Sequence, residues 1–105
     1  MNRRAASVLP PESEMHFQAE VLKLAAALRW RAYHTWNAIN SASGFPDLVL
    51  IKPPRLIFAE LKSETGQLTA AQRRWLQDLR NAGQQAFCWR PSDWPQIVAE
   101  LQGTA

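Results

Sequence analysis

The chain has 105 residues, of which 47% are hydrophobic and 20% charged, and its formal net charge at pH 7 is +3. This length and composition predict one globular domain and exclude a disordered chain. No apolar stretch reaches the roughly 20 residues that span a bilayer, so we expect a cytoplasmic protein without membrane contact. The positive charge favours a polyanionic partner such as nucleic acid.

Cysteine and histidine are scarce in this chain. The single cysteine, Cys88, excludes an internal disulfide, and two histidines are too few for a zinc site of the usual ligand spacing. Cys88 lies in the apolar run 86–89, which is typical of a buried structural thiol. Any bound metal ion must therefore be held by oxygen ligands.

An amphipathic helix is the first predicted element. Residues 1–12 contain two adjacent prolines and no periodic pattern, so they are interpreted as a flexible N-terminal arm, and the domain is assigned to residues 13–105. Ser13 is a candidate N-cap, and apolar residues recur after it at helical spacing. Residues 31–36 then predict a strand, and the polar segment 37–44 predicts a loop.

A hairpin is predicted after this loop. Residues 47–51 and 56–61 are short apolar runs rich in branched and aromatic side chains, and Pro53-Pro54 lies in the turn between them. If the hairpin is symmetric about these prolines, Asp47 faces Glu60 with Cβ atoms roughly 4.5–5.5 Å apart. Side chains alternate along a strand, so Lys62 points to the same face as Glu60.

These three charges, Asp47, Glu60 and Lys62, indicate a functional site. Two opposed carboxylates repel each other, and a hard divalent cation with oxygen ligands is the usual compensation. Mg²⁺ is the natural candidate, and Mn²⁺ can substitute. The structural alternative is that Asp47 belongs to a turn while Glu60 and Lys62 form an exposed pair, which leaves three charges on a very apolar hairpin unexplained.

The elements after the hairpin complete the fold class. Thr69 is a candidate N-cap for a second helix, and Gly83 ends that helix. Residues 84–90 predict a fourth strand. Ser92 or Asp93 can cap a short last helix. The resulting order, α-β-β-β-α-β with a short C-terminal helix, predicts an α/β domain with a mixed sheet flanked by helices.

The chain resembles the PD-(D/E)XK nuclease superfamily, and within it the VRR-NUC branch, many of whose small stand-alone members occur in phages. The resemblance rests on Asp47 in a Gly-x-Pro-Asp context, on Glu60-x-Lys62 one hairpin later, and on the Thr69-x-x-Gln72 opening of the following helix. It covers roughly residues 13–101. It implies a restriction-endonuclease-like core and metal-dependent hydrolysis of DNA.

The resemblance also implies roles for particular residues. Asp47 and Glu60 match the metal-binding carboxylates, the backbone carbonyl of Leu61 matches a further ligand, and Lys62 matches the catalytic lysine. Gln72 matches a glutamine that supports the site. A glutamate of the first helix completes the metal shell, and Glu14 is our choice, with Glu20 as the rival because helical periodicity does not separate them.

Several further residues have both a functional and a structural interpretation. Gln72 also has the spacing of a capping-box partner for Thr69. His34 can contact phosphate or simply pack at the end of its strand. Arg73 and Arg74 can bind DNA phosphates or form a solvated helix face, and Ser43 can donate to a phosphate from the loop.

The sequence thus predicts an Mg²⁺-dependent DNA endonuclease that leaves 5′-phosphate ends, as relatives generally do. A domain this small has little surface for reading bases, so recognition of backbone shape is favoured. The resemblance implies a homodimer that acts on branched DNA, and we expect structure-selective cleavage of junctions such as Holliday junctions, with nicking or flap cleavage as close competitors. The alternative is a non-catalytic nucleic-acid-binding module with the same fold, which would be free to lose one of the three charged residues.

Overall fold

The computed structural model describes residues 13–35 and 43–103, so the predicted arm at residues 1–12 lies outside the described residues. The described part follows the predicted order of elements. It contains α1 (Glu14–Ala27), β1 (Arg31–His34), β2 (Leu48–Lys52), β3 (Arg55–Leu61), α2 (Ala70–Asn81), β4 (Gln85–Trp89), a 3₁₀ turn (Pro91–Asp93) and α3 (Trp94–Gln102).

The strands form one mixed sheet in the order β1-β2-β3-β4. β2 runs antiparallel to both β1 and β3, and β4 runs parallel to β3. A parallel pair needs a crossover connection, and α2 provides it. The mixed sheet flanked by helices confirms the predicted α/β fold class.

The hairpin of β2 and β3 has the register that the two prolines predict. Lys52 lies opposite Arg55, and Leu48 lies opposite Ala59. Directly opposed residues place their side chains on the same face of a sheet. The register therefore assigns every residue of the hairpin to one of two faces.

The hydrophobic core lies between one face of the sheet and the helices α1 and α3. Its members are buried residues from five elements and from the turn after α1: Phe17, Val21, Ala25, Trp30, Leu48, Leu50, Ile57, Ala59, Leu61, Trp89, Ile97 and Leu101. Each large apolar side chain contributes about 1.5–3 kcal/mol when it is fully buried. This packing holds α1 against the sheet and so determines where its first turn lies.

The other face of the sheet is partly covered by α2. Leu76 is buried there, and the ring of Phe45 packs edge-on against Trp75 and Phe58, with ring centroids 5.1 and 6.1 Å apart. Gly44 lies just before Phe45 and has a φ of 88°, and a Cβ atom on it would be 2.6 Å from the backbone of Ala71. Glycine therefore lets this loop lie directly on the first turn of α2.

The helix ends follow local capping rules in two helices and depart from them in the third. Ser13 caps α1 by accepting a hydrogen bond from the backbone N–H of His16, at 3.1 Å. Asp93 occupies the N-cap position of α3, but its side chain accepts from the backbone N–H of Arg90 instead of from α3. Asp93, one of the two predicted candidates, is therefore the N-cap residue of α3, but its carboxylate serves the preceding 3₁₀ turn and makes no side-chain cap.

No helix among residues 13–35 and 43–103 is long and apolar enough to cross a membrane.

Candidate active site

Two carboxylates meet at the open end of the hairpin. Leu48 pairs with Ala59 in an antiparallel register. The residue before Leu48, Asp47, therefore lies opposite the residue after Ala59, Glu60. The Oδ2 atom of Asp47 accepts a hydrogen bond from the backbone N–H of Leu61, at 2.8 Å. This bond ties the first carboxylate to the end of β3, beside the second.

Glu60 is the most unusual group in the described part of the chain. It is only 3% exposed, and its Oε1 atom has no hydrogen-bond partner among the described residues. Burial, followed by the charge of Asp47 and a hydrogen bond to it, raises the pKa of Glu60 to about 8, although the charge of Lys62 opposes this shift. A buried carboxylate in this position is destabilised in its ionised form unless a cation approaches it.

Lys62 lies two residues beyond Glu60, where the chain leaves β3. Its backbone N–H donates to the carbonyl of Trp89 at 3.0 Å, and the residue is only 9% exposed. Its charge acts on the pKa of Glu60, so the ammonium and the carboxylate are close enough to interact. The structure thus brings the three predicted charges of the hairpin together.

The backbone of Leu61 faces the same point. The N–H and C=O groups of a strand residue point towards the same neighbouring strand. Since the N–H of Leu61 donates to Asp47, the Leu61 carbonyl also points to the Asp47 side. A carbonyl oxygen is therefore available next to the two carboxylates.

Glu14 approaches the cluster from α1, and Glu20 does not take part in it. Glu14 is the first residue of the helix, and its negative charge contributes to the raised pKa of Glu60. Glu20 lines a separate cavity with Pro91 and Trp94. Of the two glutamates that the sequence left open, the structure places Glu14 beside the cluster.

The cluster has the donor chemistry of a site for a hard cation. No group of three or more His, Cys, Asp and Glu side chains in the described residues is arranged to hold a metal ion by itself. Asp47 and Glu60 form a pair, to which the Leu61 carbonyl and the nearby Glu14 carboxylate add oxygens. The unpartnered Oε1 of Glu60 is the atom that a divalent cation would satisfy.

Gln72 is held in a capping box at the start of α2. Its backbone N–H donates to Oγ1 of Thr69 at 3.1 Å, and its Oε1 accepts from the backbone N–H of Thr69 at 2.9 Å. The carboxamide oxygen therefore caps the helix, and the amide nitrogen is the part of the side chain left for another role. The loop that carries Asp47 approaches this first turn of α2 closely at Gly44.

His34 lies at the same end of the sheet but on its other face. It is opposite Leu48 in the register of β1 and β2, so its side chain shares the face of Leu48, whereas Asp47 belongs to the alternate face. The adjacent Thr35 donates from its backbone N–H to the carbonyl of Asp47 at 2.8 Å. The backbone near His34 therefore supports Asp47, while its side chain points away from the carboxylates.

The other predicted nucleic-acid contacts surround α2. Ser43 is exposed, and its carbonyl accepts from the indole N–H of Trp75 at 3.0 Å. Arg73 and Arg74 are exposed on the helix and line one cavity, and Arg74 forms a weak ion pair with Asp78 at 3.6 Å. These groups lie on an accessible basic surface and not in the carboxylate cluster.

Sequence reasoning missed Arg90, which directly follows β4. Its Nη1 atom donates to the carbonyls of Ser63 and Gly66, at 2.6 and 2.7 Å. These carbonyls belong to the loop that follows Lys62. An arginine after a strand carries no motif, so only the parallel pairing of β3 with β4 reveals this contact.

Comparisons with known proteins agree with this geometry. A family model described as the VRR-NUC domain matches residues 11–91. A solved structure described as a VRR_NUC domain protein has a TM-score of 0.64 and 20% sequence identity, and the match covers 88% of this chain and 92% of that chain. No curated protein matches the chain. At this identity the structural likeness shows the fold alone.

Proposed function

Because the chain belongs to the VRR-NUC family of nuclease domains, within the PD-(D/E)XK superfamily, we propose that it is a metal-dependent DNA endonuclease that hydrolyses phosphodiester bonds. The observation that carries the proposal is the buried carboxylate of Glu60, opposite Asp47 and with one oxygen lacking a partner among the described residues. A fold that retains such a destabilising pair has a use for it.

The residues that would hold the metal ion are Asp47, Glu60, the carbonyl of Leu61 and Glu14. Oxygen donors of this kind suit Mg²⁺, with Mn²⁺ as a substitute. Such an ion, when bound, neutralises charge on the phosphate oxygens and lowers the pKa of a water molecule. The hydrogen bond from Leu61 orients Asp47 for this role, and the hydrophobic core under β3 keeps Glu60 in place.

Lys62 is the proposed catalytic lysine. A lysine that is nearly buried beside carboxylates can orient or deprotonate the attacking water, or can stabilise the developing negative charge of the transition state. Each role requires the side-chain nitrogen to remain close to Glu60, as the neutral amine if it deprotonates the water and as the ammonium if it orients the water or stabilises negative charge. Gln72 supports the site through its amide nitrogen while its oxygen caps α2.

DNA binding is assigned to the basic surface around α2. Arg73 and Arg74 would contact phosphates, and Ser43 would donate to the DNA backbone from the loop before β2. His34, at the same end of the sheet but on its other face, would make a separate contact with DNA. The net charge of +3 agrees with a polyanionic substrate. Backbone contacts carry little sequence information, so we propose structure-selective cleavage of branched DNA by a homodimer that leaves 5′-phosphate ends.

Cleavage assays test the proposal directly. Labelled four-way junction, flap, single-stranded and linear duplex DNA are incubated with Mg²⁺, Mn²⁺ or EDTA, and binding is scored in the same samples. We compare the wild type with Asp47→Ala and Lys62→Ala, and use Lys52→Ala as a matched control because its side chain is exposed at the turn end of the hairpin, opposite the end that carries the cluster.

Metal-dependent cutting that is lost only in the two site variants supports the nuclease. DNA binding without cutting of any substrate, by a folded wild type in either metal, would replace the proposal with a non-catalytic binding module. Sedimentation of apo and DNA-bound protein tests the dimer, and a monomer in both samples would reject it.

A further inference from the structure

A second set of contacts holds residues 63–66, which lie within the loop that links β3 to α2 and are called the clamped loop below. One nitrogen of Arg90, Nη1, donates to the carbonyls of Ser63 and Gly66 at 2.6 and 2.7 Å, with a longer contact of 3.4 Å to the carbonyl of Glu64. Hydrogen bonds from a charged donor are about twice as strong as those between neutral groups. Arg90 therefore clamps the loop at both of its ends.

Two further bonds attach the same loop to the end of β4. The backbone N–H of Lys62 donates to the carbonyl of Trp89 at 3.0 Å, and the backbone N–H of Ser92 donates to the Glu64 carboxylate. Inside the loop, the hydroxyl of Ser63 accepts from the N–H of Gly66 at 3.0 Å. The position of the loop is thus set by β4 and the 3₁₀ turn after it.

The clamped loop lies beside two side chains of the site. A Cβ atom placed on Gly66 would lie 3.4 Å from Oε2 of Glu14 and 3.4 Å from Cδ of Lys62. Gly66 therefore lies next to both side chains, the glutamate that begins α1 and the lysine that follows β3. Any movement of this loop opens space beside both side chains.

We infer that Arg90 is a positioning residue for the nuclease site: it holds residues 63–66 so that Glu14 and Lys62 stay directed at the carboxylates Asp47 and Glu60. The inference rests on the proposed function, because Glu14 and Lys62 must act there. Arg90 itself bonds to loop carbonyls and reaches the site only through Gly66. Its role is to restrict two long side chains that otherwise have many rotamers.

The experiment compares Arg90→Met and Arg90→Lys with Arg55→Met in the full chain. Arg55 is the matched control, because it also clamps backbone and side-chain acceptors, Glu100 and Gln85, but at the opposite end of β3. Thermal unfolding sets an assay temperature well below the Tm of every variant. Cleavage then gives kcat and KM, and calorimetric titration with Mn²⁺ alone gives its Kd.

We expect Arg90→Met to lower kcat by about 10- to 100-fold, with KM for DNA nearly unchanged, because misplacement of a catalytic group affects the chemical step. The Kd for Mn²⁺ should weaken by about tenfold, as it does when ligands lose their supporting contacts. Arg90→Lys, which keeps a charged donor, should recover part of both effects. Arg55→Met should lower Tm but leave kcat and the Mn²⁺ affinity unchanged.

Other outcomes overturn the inference. Unchanged kcat and Mn²⁺ affinity in Arg90→Met, with only a lower Tm, would make Arg90 a structural residue. A raised KM with unchanged kcat would make it a DNA contact. If the wild type binds Mn²⁺ but cuts no DNA, the proposed function fails separately, and the Mn²⁺ affinities alone decide the role of Arg90. If the wild type binds no Mn²⁺, both proposals fail.

Gly66→Val keeps the test decisive if Arg90→Met does not fold. Its Cβ atom would lie 3.1 Å from Oγ of Ser63 and 3.4 Å from both Oε2 of Glu14 and Cδ of Lys62, so its two further methyl groups have to displace these neighbours. It should lower kcat and weaken Mn²⁺ binding in the same direction as Arg90→Met. Wild-type values of both quantities would show that the loop does not position the two side chains.

Discussion

Each end of β3 carries a buried charged residue, and the surroundings of the two charges differ. At one end the guanidinium of Arg55 forms an ion pair with Glu100 at 2.8 Å, donates to Gln85 and lies over the ring of Trp30, 5.5 Å from its centroid. At the other end Glu60 faces a second carboxylate and has an oxygen without a partner in the described structure. Nε of Arg55 also lacks a partner in the described structure, but an opposite charge compensates this guanidinium, whereas Glu60 faces a like charge.

This difference separates a structural cluster from a candidate functional one. A buried charge with good partners is nearly neutral for stability, but the removal of one partner is strongly destabilising. A buried charge without partners lowers stability from the start, so its removal should stabilise the metal-free protein. Natural proteins accept this destabilisation mainly where activity depends on it.

Asp47→Asn should have the largest effect on the Glu60 end. It keeps the shape of the side chain but removes one of the three proposed anionic ligands, so kcat should fall by about 10³-fold. The Tm in EDTA should stay the same or rise, because repulsion with Glu60 disappears. Cleavage kinetics and thermal unfolding on the same preparation check this. Retained activity would exclude Asp47 from the metal site.

Arg55→Met should have the opposite signature at the other end. Because it leaves Glu100 and Gln85 without their donor, the free energy of unfolding should fall by about 3 kcal/mol. Cleavage by the folded fraction should be unchanged, since the carboxylate cluster is at the far end of the strand. Urea denaturation measures the first quantity. A loss of kcat larger than the loss of folded protein would contradict the separation of the two ends.

The pH dependence of stability should identify Glu60 as the uncompensated charge. Its pKa is near 4.5 in an unfolded chain and about 8 in the folded protein, so the folded state keeps a proton that the unfolded state loses. The contribution of this group to the stability of the metal-free protein should therefore be greatest below pH 4.5, and roughly 4 kcal/mol of it should be lost as the pH rises to 8.

Glu60→Gln is the matched control for this pH dependence. The variant should unfold in EDTA with a flatter pH profile than the wild type, and Mg²⁺ should flatten the wild-type profile by replacing the proton. Chemical denaturation at several pH values, with EDTA or Mg²⁺, provides the measurement. Identical profiles for wild type and Glu60→Gln would show that this carboxyl does not retain its proton on folding.

Arg74→Ala should produce the smallest effect. Its ion pair with Asp78 is exposed and 3.6 Å long, so stability should change by less than about 0.5 kcal/mol. Affinity for DNA should weaken similarly for all sequences, and the slope of log K against log salt should decrease by about one. Binding titrations over a range of salt concentrations test this. An unchanged slope would remove Arg74 from the phosphate contacts.

Local sequence patterns predicted most of the fold. The position of Pro53 and Pro54 predicted the register that places Asp47 opposite Glu60, and the pairing of Leu48 with Ala59 agrees with it. Thr69 and Gln72 predicted a capping box that is present. Asp93, one of the two candidates that the sequence offered, is the N-cap residue of α3, but the preceding 3₁₀ turn takes its carboxylate.

By itself, the sequence determined the order of the elements, the hairpin register and the convergence of Asp47, Glu60 and Lys62, because these depend on alternation and turn chemistry within a few residues. Only the tertiary structure decided that Glu14 and not Glu20 reaches this cluster, and that Arg90 clamps the loop beside it. Both decisions depend on contacts between residues far apart in the chain, which the packing of α1 and the pairing of β4 create and no local pattern encodes.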